Sequence, residues 1–174
     1  WIMAVIATLG ILLSVPGQTM GMAVFADAFF EVTGLSRTEL SLAYMLGTIT
    51  SAFFLTRAGR WFDVHGARIV LIAASLMLGM SILFLSLVDR ASDYLATVIG
   101  INGSIIAFSL MVVGYFGVRF SGQGVMTSAS RNMLLLWFER RRGLVSGVNG
   151  VFVSLGFSLA PLLLAMLIDD WQWR

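Results

Sequence analysis

The stretch Arg57-Ala58-Gly59-Arg60-Trp61-Phe62-Asp63-Val64-His65-Gly66-Ala67-Arg68 decides how this chain folds, together with Glu139-Arg140-Arg141-Arg142-Gly143 further on. Each cluster lies between apolar runs long enough to cross a bilayer. Short arginine-rich connections are retained on the cytoplasmic side of a membrane, so the two clusters fix segment boundaries and orientation together. Composition agrees. Only 11% of residues are charged and 59% are hydrophobic, against roughly 25% charged in a soluble domain. All 11 basic residues are arginine, and the net charge is +2. That charge is too small, and too confined to connections, to suit a nucleic-acid partner. The chain has no cysteine and one histidine, His65, which excludes disulfides and thiolate metal sites and argues against a metal centre or cofactor.

Working outward from the clusters, the pattern predicts an all-α membrane protein with five transmembrane helices. The spans are about 2–30, broken by Pro16-Gly17, then 37–57, 69–88, 106–138 and 143–168. Ser36-Arg37-Thr38-Glu39 matches a capping box at the start of the second, and Asp89-Arg90 ends the third. Two spans between Asp93 and Phe138 would put Arg140, Arg141 and Arg142 across the membrane from Arg57, Arg60 and Arg68. One span keeps all of them together, so a short non-spanning segment is expected near 93–103, turned at Asn102-Gly103. Trp1, Trp61, Trp137, Trp171 and Trp173 all fall at expected span ends, where indole prefers the headgroup layer. The first apolar run is too long for a signal peptide, and it reads as a retained span. With Trp1 at one end and a loop-like stretch at Arg174, the chain reads as a fragment.

Polar residues inside the spans are the candidates for chemistry. An arginine at mid-bilayer costs roughly 2.5–3.5 kcal/mol on insertion scales, so it faces a water-filled cavity or a partner. At about 100° per residue, Arg119, Gln123 and Ser130 share one face of the fourth span, with Arg131 at its edge. Two readings stand for Arg119: a cation snorkelling or paired for structure, or a wall that attracts an anion. Gln18 lies one turn from Ser14 beside the break at Pro16-Gly17, where freed backbone carbonyls need a cavity or a neighbour. Asp27, on the opposite side of that helix, reads as an interface residue rather than a proton carrier. Asn149 reads as a cross-helix hydrogen bonder. Small residues recur at four-residue spacing, at Ala43, Gly47 and Ser51, at Gly143 and Gly147, and at Gly150, Ser154 and Ser158. They serve close helix packing or a contact on which two bundles rock. No nucleophile–base pair or phosphate loop appears, so an enzyme is not expected.

Gly59, Asp63, Gly66 and Arg68 resemble the signature loop between helices two and three of the major facilitator superfamily. Val64 stands where that family usually carries Arg or Lys. Arg119-Phe120-Ser121-Gly122-Gln123-Gly124 is similar to the family's arginine-and-glycine motif in helix four. The string from Trp137 to Gly143, with Gly147, Gly150, Gly156 and Pro161, then Trp173-Arg174, resembles the helix four-to-six region of monocarboxylate and oxalate–formate type members. Drug-exporting antiporters carry Gly-Pro in helix five, whereas Gly150 is followed here by Val151.

The resemblance implies the N-terminal helical bundle of that fold, without its sixth helix and its C-terminal bundle. It implies a substrate path along spans one and four, and spans two and five facing the absent bundle. It implies alternating-access transport of a small solute, with an organic anion favoured by Arg119. It gives gating roles to Gly59, Asp63, Gly66, Arg68, Glu139 and Arg140, with Arg68 pairing with Glu139. The expected setting is a cell (inner) membrane with 57–68 and 139–142 cytoplasmic. A non-transporting subunit or receptor on the same fold is the alternative. The fold's inverted repeat would make Gly17-Gln18 and Gly122-Gln123 equivalent positions.

Overall fold

The computed structural model describes residues 1–171 of the chain; Trp173 and Arg174, counted above among the motif residues, lie outside them. Those residues form helices joined by short breaks, with no strand among them. The helices are α1 (Ile2–Leu12), α2 (Thr19–Val24), α3 (Ala26–Thr33), α4 (Arg37–Ser86), α5 (Val88–Ile99), α6 (Gly103–Val118), α7 (Thr127–Trp137) and α8 (Arg142–Trp171). A 3₁₀ turn, Val15–Gly17, links α1 to α2. A π-helical stretch, Arg119–Met126, joins α6 to α7 without interruption. Three runs among the described residues are long and apolar enough to cross a membrane: Arg37–Ser86, Gly103–Trp137 and Arg142–Ile168.

The first expected span is not one helix. Pro16 has no N–H and fixes its own φ, so the α-ladder stops near Leu12 and the chain makes a 3₁₀ turn. Gln18 then goes extended (φ −83°, ψ 157°) before α2 starts. α4 begins with the capping box read from the sequence: the Glu39 N–H donates to Ser36 Oγ at 3.3 Å, and the Ser36 N–H donates to Glu39 Oε2 at 2.8 Å.

The arginine stretch 57–68, expected as a loop, is helical apart from one residue. The helix runs through His65, breaks at Gly66 (φ 76°, ψ 169°) and resumes at Ala67. That region of backbone space is essentially confined to glycine, so Gly66 makes the turn alone and α4 becomes two arms. The third span does not end at Asp89-Arg90 either. The chain breaks at Leu87 (φ −111°, ψ 8°), and Asp89 lies in the first turn of α5, where a carboxylate meets the positive end of the helix dipole. α5 has 12 residues, about 18 Å at ~1.5 Å per residue, too short for a core of about 30 Å. Asn102, expected in a turn, instead caps α6, its Oδ1 accepting the Ser104 N–H at 3.2 Å.

The two arms of α4 pack on α6 and on the π stretch, α5 packs on α6, and α1 packs on α7 and α8. Lipid tails are as apolar as leucine, so helices in this medium associate by close fit. Gly47 shows it: a Cβ there would stand 2.7 Å from the Phe116 amide nitrogen. The small face of the second expected span, Ala43 and Gly47, is therefore buried inside the bundle against α6, not turned towards an absent one. Ser51 is half-buried and bonds its own helix at Thr48 O. Gly147 and Gly150 on α8 meet open space, and Ser154 is exposed.

Candidate functional site

The 3₁₀ turn after α1 and the π stretch cross at two glycines, Gly17 and Gly122. A Cβ on Gly17 would stand 2.7 Å from Gly122 Cα, and one on Gly122 would stand 2.8 Å from Gly17 Cα. Neither position has room for a side chain. The two Gly-Gln pairs thus meet at their glycines, and the polar residues on either side are brought together.

On one side of the crossing lies Arg119, 7% exposed. Its Nη1 donates to the Gly17 carbonyl at 3.3 Å and to Thr19 Oγ1 at 3.2 Å. The carbonyl is available because the helix is broken at Gln18. The guanidinium carbon stands 5.1 Å from the centroid of the Tyr44 ring, a cation–π contact. The Tyr44 hydroxyl also donates to Thr19 Oγ1, at 2.9 Å. Thr19 accepts from both, which leaves its own proton free to donate. Tyr44 is held edge-on by Tyr115 at 5.2 Å, and Tyr115 by Phe29 at 6.2 Å. Arg119 Nε has no hydrogen-bond partner, and no carboxylate among the described residues pairs with this arginine. Thr19, Tyr44 and Tyr115 line a cavity of about 230 Å³ beside it.

On the other side Gln18 ties a polar knot. Its Nε2 donates to Ser14 Oγ at 3.0 Å and to Thr127 Oγ1 at 3.1 Å. Thr127 Oγ1 donates to Gly122 O at 3.2 Å, and Ser14 Oγ donates to Ile11 O at 2.6 Å. These bonds satisfy groups on both sides of the helix break.

The single polar face expected on the fourth span is dispersed. Gln123 is exposed, as is Arg131, which lines a separate cavity of about 330 Å³ with Ser146, Asn149 and Ser154. Ser130 is fully buried without a partner, against Gly10. The cause is the π stretch: its i→i+5 bonding widens the turn, so positions counted at 100° per residue from Arg119 drift out of register. Thr127, rather than Gln123, is the fourth-span residue that meets Gln18. Asn149 Nδ2 donates to Thr8 Oγ1 at 2.8 Å, joining α8 to α1. Gly59, Asp63, Arg68, Glu139 and Arg140 are all exposed, and no ion pair joins Arg68 to Glu139 among the described residues. Asp27, at the other end of the chain's first helices, pairs with Arg37 at 3.5 Å.

Residues 2–174 match the family model described as Major Facilitator Superfamily. The chain belongs to the major facilitator superfamily. No curated protein and no solved structure matches it. Membership makes the chain an integral, multi-pass membrane protein and assigns it to membrane transport of a small solute. In this superfamily member Thr19, Tyr44, Tyr115 and Thr127 belong to the polar crossing and were not nominated from the sequence. Thr19 carried one usable signal, its place directly after the break at Pro16-Gly17-Gln18. The two tyrosines carried none, because an aromatic at helical spacing reads as packing.

Proposed function

We propose that this transporter carries a small organic anion, a monocarboxylate in the leading case, by secondary active transport with alternating access. One observation supports the reading above others. Arg119 is a buried cation met by a carbonyl, a hydroxyl and an aromatic face, with its buried Nε–H unpartnered and no carboxylate among the described residues paired to it. A guanidinium taken out of water is strongly destabilised unless an opposite charge with good geometry joins it. A carboxylate fits, because its two oxygens match the donor fork of arginine. The Thr19 proton and the 230 Å³ cavity beside it would receive the rest of a small anion. Gln18 holds the crossing in shape for that purpose, while Gln123, Ser130 and Arg131 are proposed further along the path.

In the same reading the 57–68 and 139–142 connections face the cytoplasm in a cell membrane. Gly59, Asp63, Gly66, Arg68, Glu139 and Arg140 act at the gate, where Asp63 meets the N-terminal end of a helix of an opposing bundle. Gly47, Ser51, Gly147, Gly150 and Ser154 serve helix packing around it.

The test is uptake of labelled monocarboxylates by the protein reconstituted in liposomes, beside an Arg119→Gln variant that inserts normally. Saturable uptake in the parent and its loss in the variant is expected. Uptake that is unchanged in Arg119→Gln, or an absence of uptake for every monocarboxylate tried in an otherwise active preparation, would overturn the anion reading.

A further inference from the structure

The cavity beside Arg119 has two unlike ends. Its volume is about 230 Å³, below the roughly 300–1,000 Å³ of pockets that hold drug-sized ligands. Thr19 and Tyr44 form one end, joined by the 2.9 Å hydrogen bond between their hydroxyls. Both also touch the arginine. Nη1 donates to Thr19 Oγ1 at 3.2 Å, and the guanidinium carbon stands 5.1 Å from the Tyr44 ring centroid. The charge therefore stands against this end. Most of the remaining wall is carbon, from Met22 and Ala23 on α2, Ala26 and Phe30 on α3, and Leu40 on α4. None of the described residues that line the cavity is charged. Thr19, Ala23 and Ser41 are exposed and mark its open side.

Depth follows from the helix rise. Ser36 caps α4, Leu40 stands four residues beyond it and Tyr44 eight. At ~1.5 Å per residue they lie about 6 and 12 Å from the cap. The cap belongs to the membrane surface, since the exposed charges Asp27, Glu31, Arg37 and Glu39 gather round it. Arg37 pairs with Asp27 at 3.5 Å and stands 5.0 Å over the Phe30 ring, so Phe30 belongs to the same surface end as Leu40. The end against Arg119 is the deep one, near the midplane of a core about 30 Å thick. The order of polarity selects the occupant. A lipid would bring its headgroup to the surface and its hydrocarbon to the depth, the reverse of what is built here. An apolar helix would leave Arg119 without a counter-charge.

We propose, resting on the reading of Arg119 as the partner of the transported anion, that this cavity takes the hydrocarbon tail of an aliphatic monocarboxylate, and that Ala23 and Ala26 set how long the tail can be. The carboxylate accepts the free Thr19 proton with the guanidinium beside it, and the tail points towards Phe30. Alanine at both positions leaves the space open, where a longer side chain would fill it. A dicarboxylate of the same length would carry its second charge among uncharged, mostly carbon walls, where a bare carboxylate is strongly disfavoured.

The experiment measures Arg119-dependent uptake of labelled butanoate, the difference between parent and Arg119→Gln liposomes, in competition with unlabelled straight-chain acids from acetate to octanoate. Competition is expected to strengthen about fourfold with each methylene that enters the cavity and to reach an optimum within the series. Butanoate should compete roughly tenfold better than succinate. Ala26→Leu should move the optimum to an acid shorter by up to about three carbons, the size of the added side chain. Ala23→Leu, at an exposed position, should move it the same way, and it decides alone if Ala26→Leu does not fold. Arg119-dependent uptake with a flat series, or with an optimum that the leucine variants leave in place, overturns the tail proposal and spares the anion reading. So does competition that strengthens to the end of the series, which would assign the space to a lipid chain. An absence of Arg119-dependent uptake for every acid removes the anion reading and this proposal with it.

Discussion

Arg119 brings a full charge into a place where only dipoles and a ring face meet it. A structural and a functional arginine respond differently to an apolar replacement. Exchanging buried ions for well-packed apolar side chains is often neutral or stabilising, by about 1–4 kcal/mol in favourable cases. Arg119→Met is therefore expected to melt in detergent at or above the parent temperature while losing any stabilisation by added monocarboxylate. A variant that melts far lower would make Arg119 a keystone of the crossing instead. The residue was legible from the sequence because a charge inside an apolar run has few explanations. Its partners were not: Gly17 contributes a carbonyl, and Thr19 and Tyr44 come from elements whose approach only the folded chain defines. Gln123 was misplaced for another reason, since helical-wheel counting assumes α geometry throughout, and residues 119–126 depart from it.

At the level of the element, the π stretch Arg119–Met126 sets which side chains face the crossing. Such bulges amount to an extra residue in an α-helix and recur at functional sites. Deleting the exposed Gln123 should restore α bonding through the stretch while keeping the helices on either side in register. The widened turn that seats Gly122 against Gly17 would then tighten. The expected result is unchanged helix content by circular dichroism with loss of monocarboxylate uptake; full uptake in the deletion variant would show that the bulge is incidental. Element starts were readable where chemistry is local. The Ser36–Glu39 box was visible as four letters, and it formed. Pro16-Gly17 announced a break, and the break is there. Element ends were harder. A dozen arginine-rich residues looked like a loop, but one glycine suffices to reverse the chain, and the polar residues around Gly66 remain helical because they lie at a surface that tolerates them.

For the whole molecule, the proposal that 57–68 and 139–142 share one side can be tested directly, because the chain contains no cysteine to give background. Val64→Cys and Arg140→Cys, made singly, should react with an impermeant maleimide from the same side of sealed vesicles. Reaction from opposite sides would reverse the proposed order of the spans. The proposed gate makes a separate prediction. A carboxylate near a helix N-terminus is stabilised by about 0.3–1 kcal/mol when exposed, and up to about 2 kcal/mol when partly buried. Asp63→Asn is accordingly expected to slow uptake several-fold while leaving insertion intact, and an unchanged rate would remove Asp63 from the gate. The elbow at Gly66 has a mechanical consequence. Neighbouring Cα atoms stand about 3.8 Å apart, so a one-residue joint leaves its two limbs no length to slide past each other. In the proposed alternating-access cycle they are expected to travel together. Spin labels at the exposed Phe53 and Leu76 will read one separation through the whole cycle.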